Sequence, residues 1–323
     1  VLDHCVMARF PLIGIEENAD SIHPVGPEEW WREAWYFEFF DPSVGIQFQV
    51  YQGVFPNRGV ADLTCYVFEG GNVRYRFMKM DYTIPRDIGS ERLCFGPLKL
   101  DLIEPFHRWR LRYDSSELQG DLLFEALHAP YSWAESRLWM ERTRSGEQSR
   151  HFDQMGQYRG WICLDGEQIE ISALGMRDHM WGWGARTQLR SYIILWSPFS
   201  PDLVTNAALF TFIDGRQQLY GYVHQGASRT VLQSARLDIT WSERRWKSIE
   251  IVRALLTDIR GRSVELRGRP LGIIDTSHWW LHRHDHMLFS MAEYECRGLK
   301  GYGCLNWSFR TVDDRPDLLQ FTI

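Results

Sequence analysis

An all-β chain of antiparallel sheets is what this sequence predicts. Three observations predict it: short runs alternating apolar and polar residues fill both halves, turn dipeptides separate them, and helical spacing is confined to two short stretches. Val44, Ile46, Phe48 and Val50 alternate with Gly45, Gln47 and Gln49, and Val73, Tyr75 and Phe77 alternate with Arg74 and Arg76. Such a run turns one face to a core and the other to water. His107, Trp109, Leu111 and Tyr113 alternate with three arginines, Arg108, Arg110 and Arg112. Tyr158, Ile162 and Leu164 lead into Asp165-Gly166 and then Ile169 and Ile171, a hairpin with a favoured turn dipeptide. The second half repeats this with a strand over 208–213, a turn at Asp214-Gly215 and a strand over 219–223. Further strands are expected over 236–241, 248–252, 263–266, 287–294 and 303–309, with turns at Arg260-Gly261 and over 298–303. The helical stretches are 27–34 and 134–142.

So many short strands in both halves predict two consecutive antiparallel β-barrels, because closing a sheet on itself removes its exposed edges. The expected division is an N-terminal segment over 1–25, a first barrel over 26–185 and a second over 186–323, with the change following a cluster of Gly and Trp. At 323 residues the chain has room for two domains. Its net charge of −6 and pI near 6.0 offer no attractive field to a polyanion, which argues against nucleic acid as a partner. The longest apolar runs, such as 192–196, fall far short of the roughly 20 residues of a membrane-spanning helix. The first residues lack a basic region, an apolar stretch and a cleavage site in succession, so a cytoplasmic location is expected. Nothing in the sequence calls for more than one chain.

Six cysteines, Cys5, Cys65, Cys94, Cys163, Cys296 and Cys304, include no C-x-x-C pair and are expected as buried free thiols. The unusual feature is 15 Trp, 13 Tyr and 18 Phe, together 14% of the chain. Such rings fill wide barrels, line apolar cavities and present negative faces to a cation.

The densest chemistry lies in the block Gly175-Met176-Arg177-Asp178-His179-Met180-Trp181-Gly182-Trp183-Gly184-Ala185-Arg186, preceded by His151-Phe152-Asp153-Gln154. A carboxylic acid in an apolar pocket keeps its proton, because burial disfavours the charged form, and donates it near neutral pH. Asp178 is the candidate acid and His179 the candidate relay or base. A neighbouring Arg would instead pull Asp178 toward its ionised form, and Arg-Asp pairs beside Gly-Trp turns also pin domain junctions. Trp35, Trp181 and Trp183 are candidate cavity walls, Arg177 and Arg186 candidate holders of the acid, and His151 and Gln154 supporting residues.

A second constellation runs from His278 to His286. On a strand, His278, Trp280, His282, His284 and His286 share one face. That spacing suits a metal with several imidazole ligands, yet that face carries no Cys or carboxylate. His282 and His284 are therefore expected as lining of the second barrel and substrate contacts, and no metal is expected. No Gly-x-Gly-x-x-Gly, P-loop or Gly-x-Ser-x-Gly elbow is present, so no cofactor is expected either.

The pattern Gly-x-Arg-Asp-His-x-Trp-Gly-x-x-x-Arg, after a strand of the type His-Phe-x-Gln-x-Gly-x-x-x-Gly, resembles the carotenoid 1,2-hydratase superfamily, also called hydroxyneurosporene synthase-like. The likeness extends to Glu29-Trp30-Trp31-Arg32-Glu33-Ala34-Trp35-Tyr36-Phe37, Ala292-Glu293-Tyr294-Glu295-Cys296 and Gly301-Tyr302-Gly303. Met180 departs from the pattern where a small polar residue is expected, as does Asn306 where an acid often follows. The resemblance implies two consecutive lipocalin-like barrels and a cofactor-independent hydratase, dehydratase or cyclase acting on an apolar, terpenoid-like substrate. Two alternatives stand beside it: a non-catalytic carrier of lipids, steroids or isoprenoids, and a metal-dependent β-barrel enzyme using the His278 to His286 face.

Overall fold

The computed structural model describes residues 12–89, 93–136, 150–183, 189–244, 248–277 and 286–322, with the side chains of Trp183 and Val312 left aside. The first sheet comprises β1 (Trp31–Asp41), β2 (Ile46–Phe55), β3 (Val60–Glu69), β4 (Asn72–Thr83), β5 (Cys94–Phe95), β6 (Leu98–Glu104), β7 (Arg108–Asp114), β8 (Leu118–Ala126), β9 (Tyr131–Ser132), β10 (Arg150–Leu164) and β11 (Glu167–Trp183). The second comprises β12 (Leu189–Ser200), β13 (Leu203–Phe212), β14 (Gln217–Gln225), β15 (Ser228–Trp241), β16 (Ile249–Asp258), β17 (Ser263–Asp275), β18 (His286–Cys296), β19 (Leu299–Phe309) and β20 (Leu318–Thr322).

All pairings are antiparallel, and the protein is all-β with two barrel-like domains. The second sheet runs β14-β13-β12-β19-β18-β17-β16-β15, and β15 pairs back to β14 to close an eight-stranded barrel, with β20 beside β15. The first runs β4-β3-β2-β1-β11-β10-β8-β7-β6-β5 and forms a half-barrel whose end strands are not paired with each other among the described residues. The expected hairpin turn at Asp165-Gly166 has both residues at positive φ, 52° and 85°, as a two-residue turn between twisted strands requires.

The stretch over 27–34 is not a helix. Residues 31–34 open β1, and 133–135 form a single 3-10 turn capped by Ser132, while 137–142 lie outside the described residues. The reason is burial of β1 on both faces: a strand covered on both sides loses its alternation, and its aromatic run then mimics a helical stripe.

The inner face of the half-barrel packs Trp35, Phe37, Phe39, Trp109, Phe124 and Tyr158 into one core. The closed barrel packs Leu195, Leu209, Leu237, Leu266 and Trp307 into another. A third cluster joins the two, with Tyr36, Met155 and Met176 against Trp196, Tyr222 and Cys304. Polar ties cross the same seam: Arg229 donates to the carbonyls of Ala129 (2.6 Å) and Pro130 (3.0 Å), and the Gly221 amide donates to Tyr131 Oη at 2.7 Å. Of the described cysteines, all unpaired with one another, Cys65, Cys296 and Cys304 are buried as expected, whereas Cys163 is half-buried and Cys94 exposed. No helix among the described residues is long and apolar enough to cross a membrane.

Candidate active site at the domain seam

A strand covered on both faces is a costly place for charge, since ionised groups stay buried only when paired. Yet β1 buries Arg32, Glu33, Glu38 and Asp41. Asp41 closes a turn, accepting from the amides of Ser43 (3.0 Å) and Ser172 (2.8 Å). Arg32 donates to Met180 Sδ at 3.0 Å, so the residue that departs from the family pattern is a partner of a buried cation. Glu33 and Glu38 have no such plain structural explanation, and they face opposite sides of the sheet, as the period of two requires.

On the face toward the second domain, register sets a row across four strands. Tyr51 of β2 is opposite Tyr36 of β1, Tyr36 is opposite Asp178 of β11, and Asp178 is opposite Asp153 of β10. Two like charges directly opposite repel unless a third polar group stands between them. His151 supplies the group: its Nε2 is 2.9 Å from Asp153 Oδ1 and 3.6 Å from Asp178 Oδ2. The other Asp153 oxygen accepts from Trp133 Nε1 at 3.0 Å and, across the seam, from Asn206 Nδ2 at 2.9 Å. Trp133 is stacked between His151 (ring centroids 3.9 Å apart) and Tyr220 of the second domain (4.8 Å). Asp153 is thus fixed from three sides, while the Asp178 side chain keeps 22% of its surface open.

Beside this row, Tyr36 donates a short hydrogen bond to Glu38 Oε2. Burial, opposed by that bond but reinforced by the charge of Asp178, raises the Glu38 carboxyl to about 8. Burial, then the neighbouring Glu38, holds the Tyr36 phenol well above its ordinary value, so it remains a donor. Glu38 is therefore a carboxylic acid that keeps its proton at neutral pH. It stands two places along β1 from Tyr36, the cross-strand partner of the candidate acid Asp178.

The inner face carries a different row, in which His179 is opposite Trp35 on one side and Phe152 on the other. His179 Nε2 is 3.2 Å from Glu33 Oε1, and His23 Nδ1 is 2.8 Å from the same oxygen. Burial alone would raise Glu33, but its hydrogen bonds with His179 and His23 lower it to about 2. For His179 burial outweighs Glu33 and lowers the ring, so a neutral imidazole faces an ionised carboxylate. Arg177, wholly buried, makes a two-pronged pair with Asp20 at 2.7 and 2.8 Å and donates to Gln154 Oε1 at 3.0 and 2.6 Å. It holds the segment before β1 against the sheet; its bonds go to Asp20, not to Asp178.

The residues singled out from sequence are therefore divided. Asp178 and His151 meet at the seam, whereas His179, Trp35, Trp181, Arg177 and Gln154 belong to the inner face. Neighbours on a strand point to opposite sides, so Asp178 and His179 do not exchange a proton directly. The Trp183 backbone ends β11 opposite Trp31, and Arg186, His282 and His284 lie outside the described residues. Tyr36, Glu38, Asp153, Trp133 and Asn206 were not singled out. A signal for Glu38 was present in the acid within the aromatic run of β1; the others depend on register and domain contact. Asn306 accepts from the Ser290 amide at 3.1 Å, a bond inside the second sheet.

Fold and seam together define a class: two-domain β proteins in which a half-barrel packs beside a closed barrel. Solved structures share it. An AttH protein from Nitrosomonas europaea is 13% identical with a TM-score of 0.62 over 90% of this chain and 100% of that one. Kievitone hydratase from Nectria haematococca is 12% identical, TM-score 0.57, over 92% and 95%. CghA with Sch210972 is 8% identical, TM-score 0.57, over 87% and 89%. At such identities the likeness is one of fold, and it is a fold that includes a hydratase. By sequence, residues 16–311 match a domain of unknown function, and the chain belongs to that family, DUF7064. No curated protein matches it by sequence.

Proposed function

We propose that this protein is a cofactor-independent acid-base enzyme, a hydratase or dehydratase or a cyclase, acting on an apolar terpenoid-like substrate at the domain seam. The observation that carries the reading is the facing pair Asp153 and Asp178 with His151 between them, of which only Asp178 is substantially open. In the hydrating direction the Asp178 carboxyl gives its proton to an alkene carbon. The resulting cation is stabilised by the carboxylate left on Asp178 and by aromatic rings of the seam. The oxygen of a water bonds to the cation, and the proton it sheds passes to the His151–Asp153 pair, which returns it to Asp178. In cyclisation a second alkene of the same substrate attacks the cation in place of water, and the new cation loses a neighbouring C–H proton to the His151–Asp153 pair, which returns it to Asp178. Glu38, protonated at neutral pH, keeps a further negative charge away from Asp178. Trp133 and Asn206 hold Asp153 and so orient His151.

The test is incubation with acyclic and cyclic terpenes and their alcohols in heavy-oxygen water, followed by mass spectrometry. Label uptake, water loss or ring closure that disappears in Asp178→Asn supports the proposal. Tight binding of panel members without any product would replace it by a carrier role.

A further inference from the structure

We propose that His23, Glu33 and His179 form a binding site for one divalent transition-metal ion of the zinc type, separate from the seam. Three segments distant in sequence bring these residues together: the chain before β1, β1 itself and β11. One ligating atom from each lies within 4.8 Å of the other two, and all three residues are buried. Two imidazole nitrogens with one carboxylate oxygen make a donor set that suits zinc and its neighbours better than calcium or magnesium, which prefer oxygen alone.

The geometry needs little change. Ligands about 2.0–2.1 Å from a tetrahedral zinc are roughly 3.3 Å from one another. The present separations are 2.8 Å for His23 Nδ1 to Glu33 Oε1 and 3.2 Å for His179 Nε2 to the same oxygen. Both rings are already oriented: His23 stacks on Trp181 with centroids 3.9 Å apart and planes within 7°, and His179 stacks on Trp35 at 5.0 Å and 20°. Metal ligation by Nε2 moves the His179 ring proton to Nδ1. That atom has no hydrogen-bond partner among the described residues, so no neighbouring donor opposes the change, and the proton it gains finds no protein acceptor there. The three protein ligands leave a fourth position for water. Bound metal would fasten the segment before β1 to the sheet on the same side as the Arg177–Asp20 pair.

The alternative use of these atoms is a hydrogen-bond network alone, and metal titration separates the two. The full chain is dialysed against a chelator and titrated with Zn²⁺, then with Co²⁺. One equivalent bound, a ligand-field spectrum of four-coordinate cobalt and a thermal midpoint that rises with metal concentration are expected. His23→Gln and His179→Gln should each weaken binding more than ~100-fold, since each removes one of three ligands. Asp153→Asn and the double change His282→Ala, His284→Ala should leave binding unchanged, placing the ion neither in the seam nor in the His-rich segment. His23 precedes the first strand, so its variant tests the site even where a change in β11 impairs folding. Less than a tenth of an equivalent bound to wild type, or binding that survives the His23 substitution, overturns the proposal.

Discussion

Replacing Glu38 by Gln offers a direct measure of the buried proton at the seam. The Glu38 carboxyl is held at about 8 in the folded protein against an ordinary value of 4.5. Below pH 4.5 both folded and unfolded chains carry the proton, and the group contributes no pH dependence. Between the two values the unfolded chain has released it and the folded chain has not, so the folded state loses stability as pH rises. The slope is a little over 1 kcal/mol per pH unit, or roughly 3 kcal/mol between about pH 5.5 and pH 7.5. Gln keeps the shape and carries no titrating proton, and groups not coupled to Glu38 cancel when the two proteins are compared. Urea unfolding of wild type and Glu38→Gln should therefore show the variant gaining stability relative to wild type across that interval by an amount of this order. Above about pH 8 the difference should level off, as Glu38 ionises in the folded protein too. A difference that stays flat from pH 5.5 to 7.5, or one that moves in favour of wild type, would refute the claim that Glu38 retains its proton at neutral pH.

Other outcomes follow from the same geometry. Asp178→Asn should lower turnover by ~10²–10⁴-fold, the usual contribution of a positioned proton donor, while a partly open side chain costs stability less than about 1 kcal/mol; single-turnover mass spectrometry beside a thermal melt distinguishes the two effects. Asp153→Leu strands the Trp133 and Asn206 donors in the seam and should cost roughly 2–5 kcal/mol in urea unfolding, with no cost pointing to a seam that admits water freely. Arg177→Met leaves Asp20 buried without its partner and should cost about 3–5 kcal/mol, of which the double change with Asp20→Asn should restore a part. A full, additive loss in that double variant would mean that the two residues act independently.

The sequence made the strands legible because local alternation and turn dipeptides carry that information. The hairpin of β10 and β11 around Asp165-Gly166 needs only neighbouring residues to specify it. The block around Asp178 is equally visible as chemistry, yet pairing Asp178 as acid with His179 as relay leaves out the consequence of its being a strand. Once it is one, adjacent residues Asp178 and His179 must serve opposite faces, and the single site imagined there becomes two. What no local pattern could supply is the register of β1 against β11, which brings Tyr36 opposite Asp178 from the far end of the domain. The same holds for Asn206 and Tyr220, which reach the seam only because the second barrel packs there. The cross-strand row explains why ionisable residues recur in a doubly buried strand: each face of β1 supports its own polar cluster, Glu38 at the seam and Glu33 within the half-barrel. Removing either acid should disturb one cluster and spare the other, because the sheet that separates them is packed with rings on both sides.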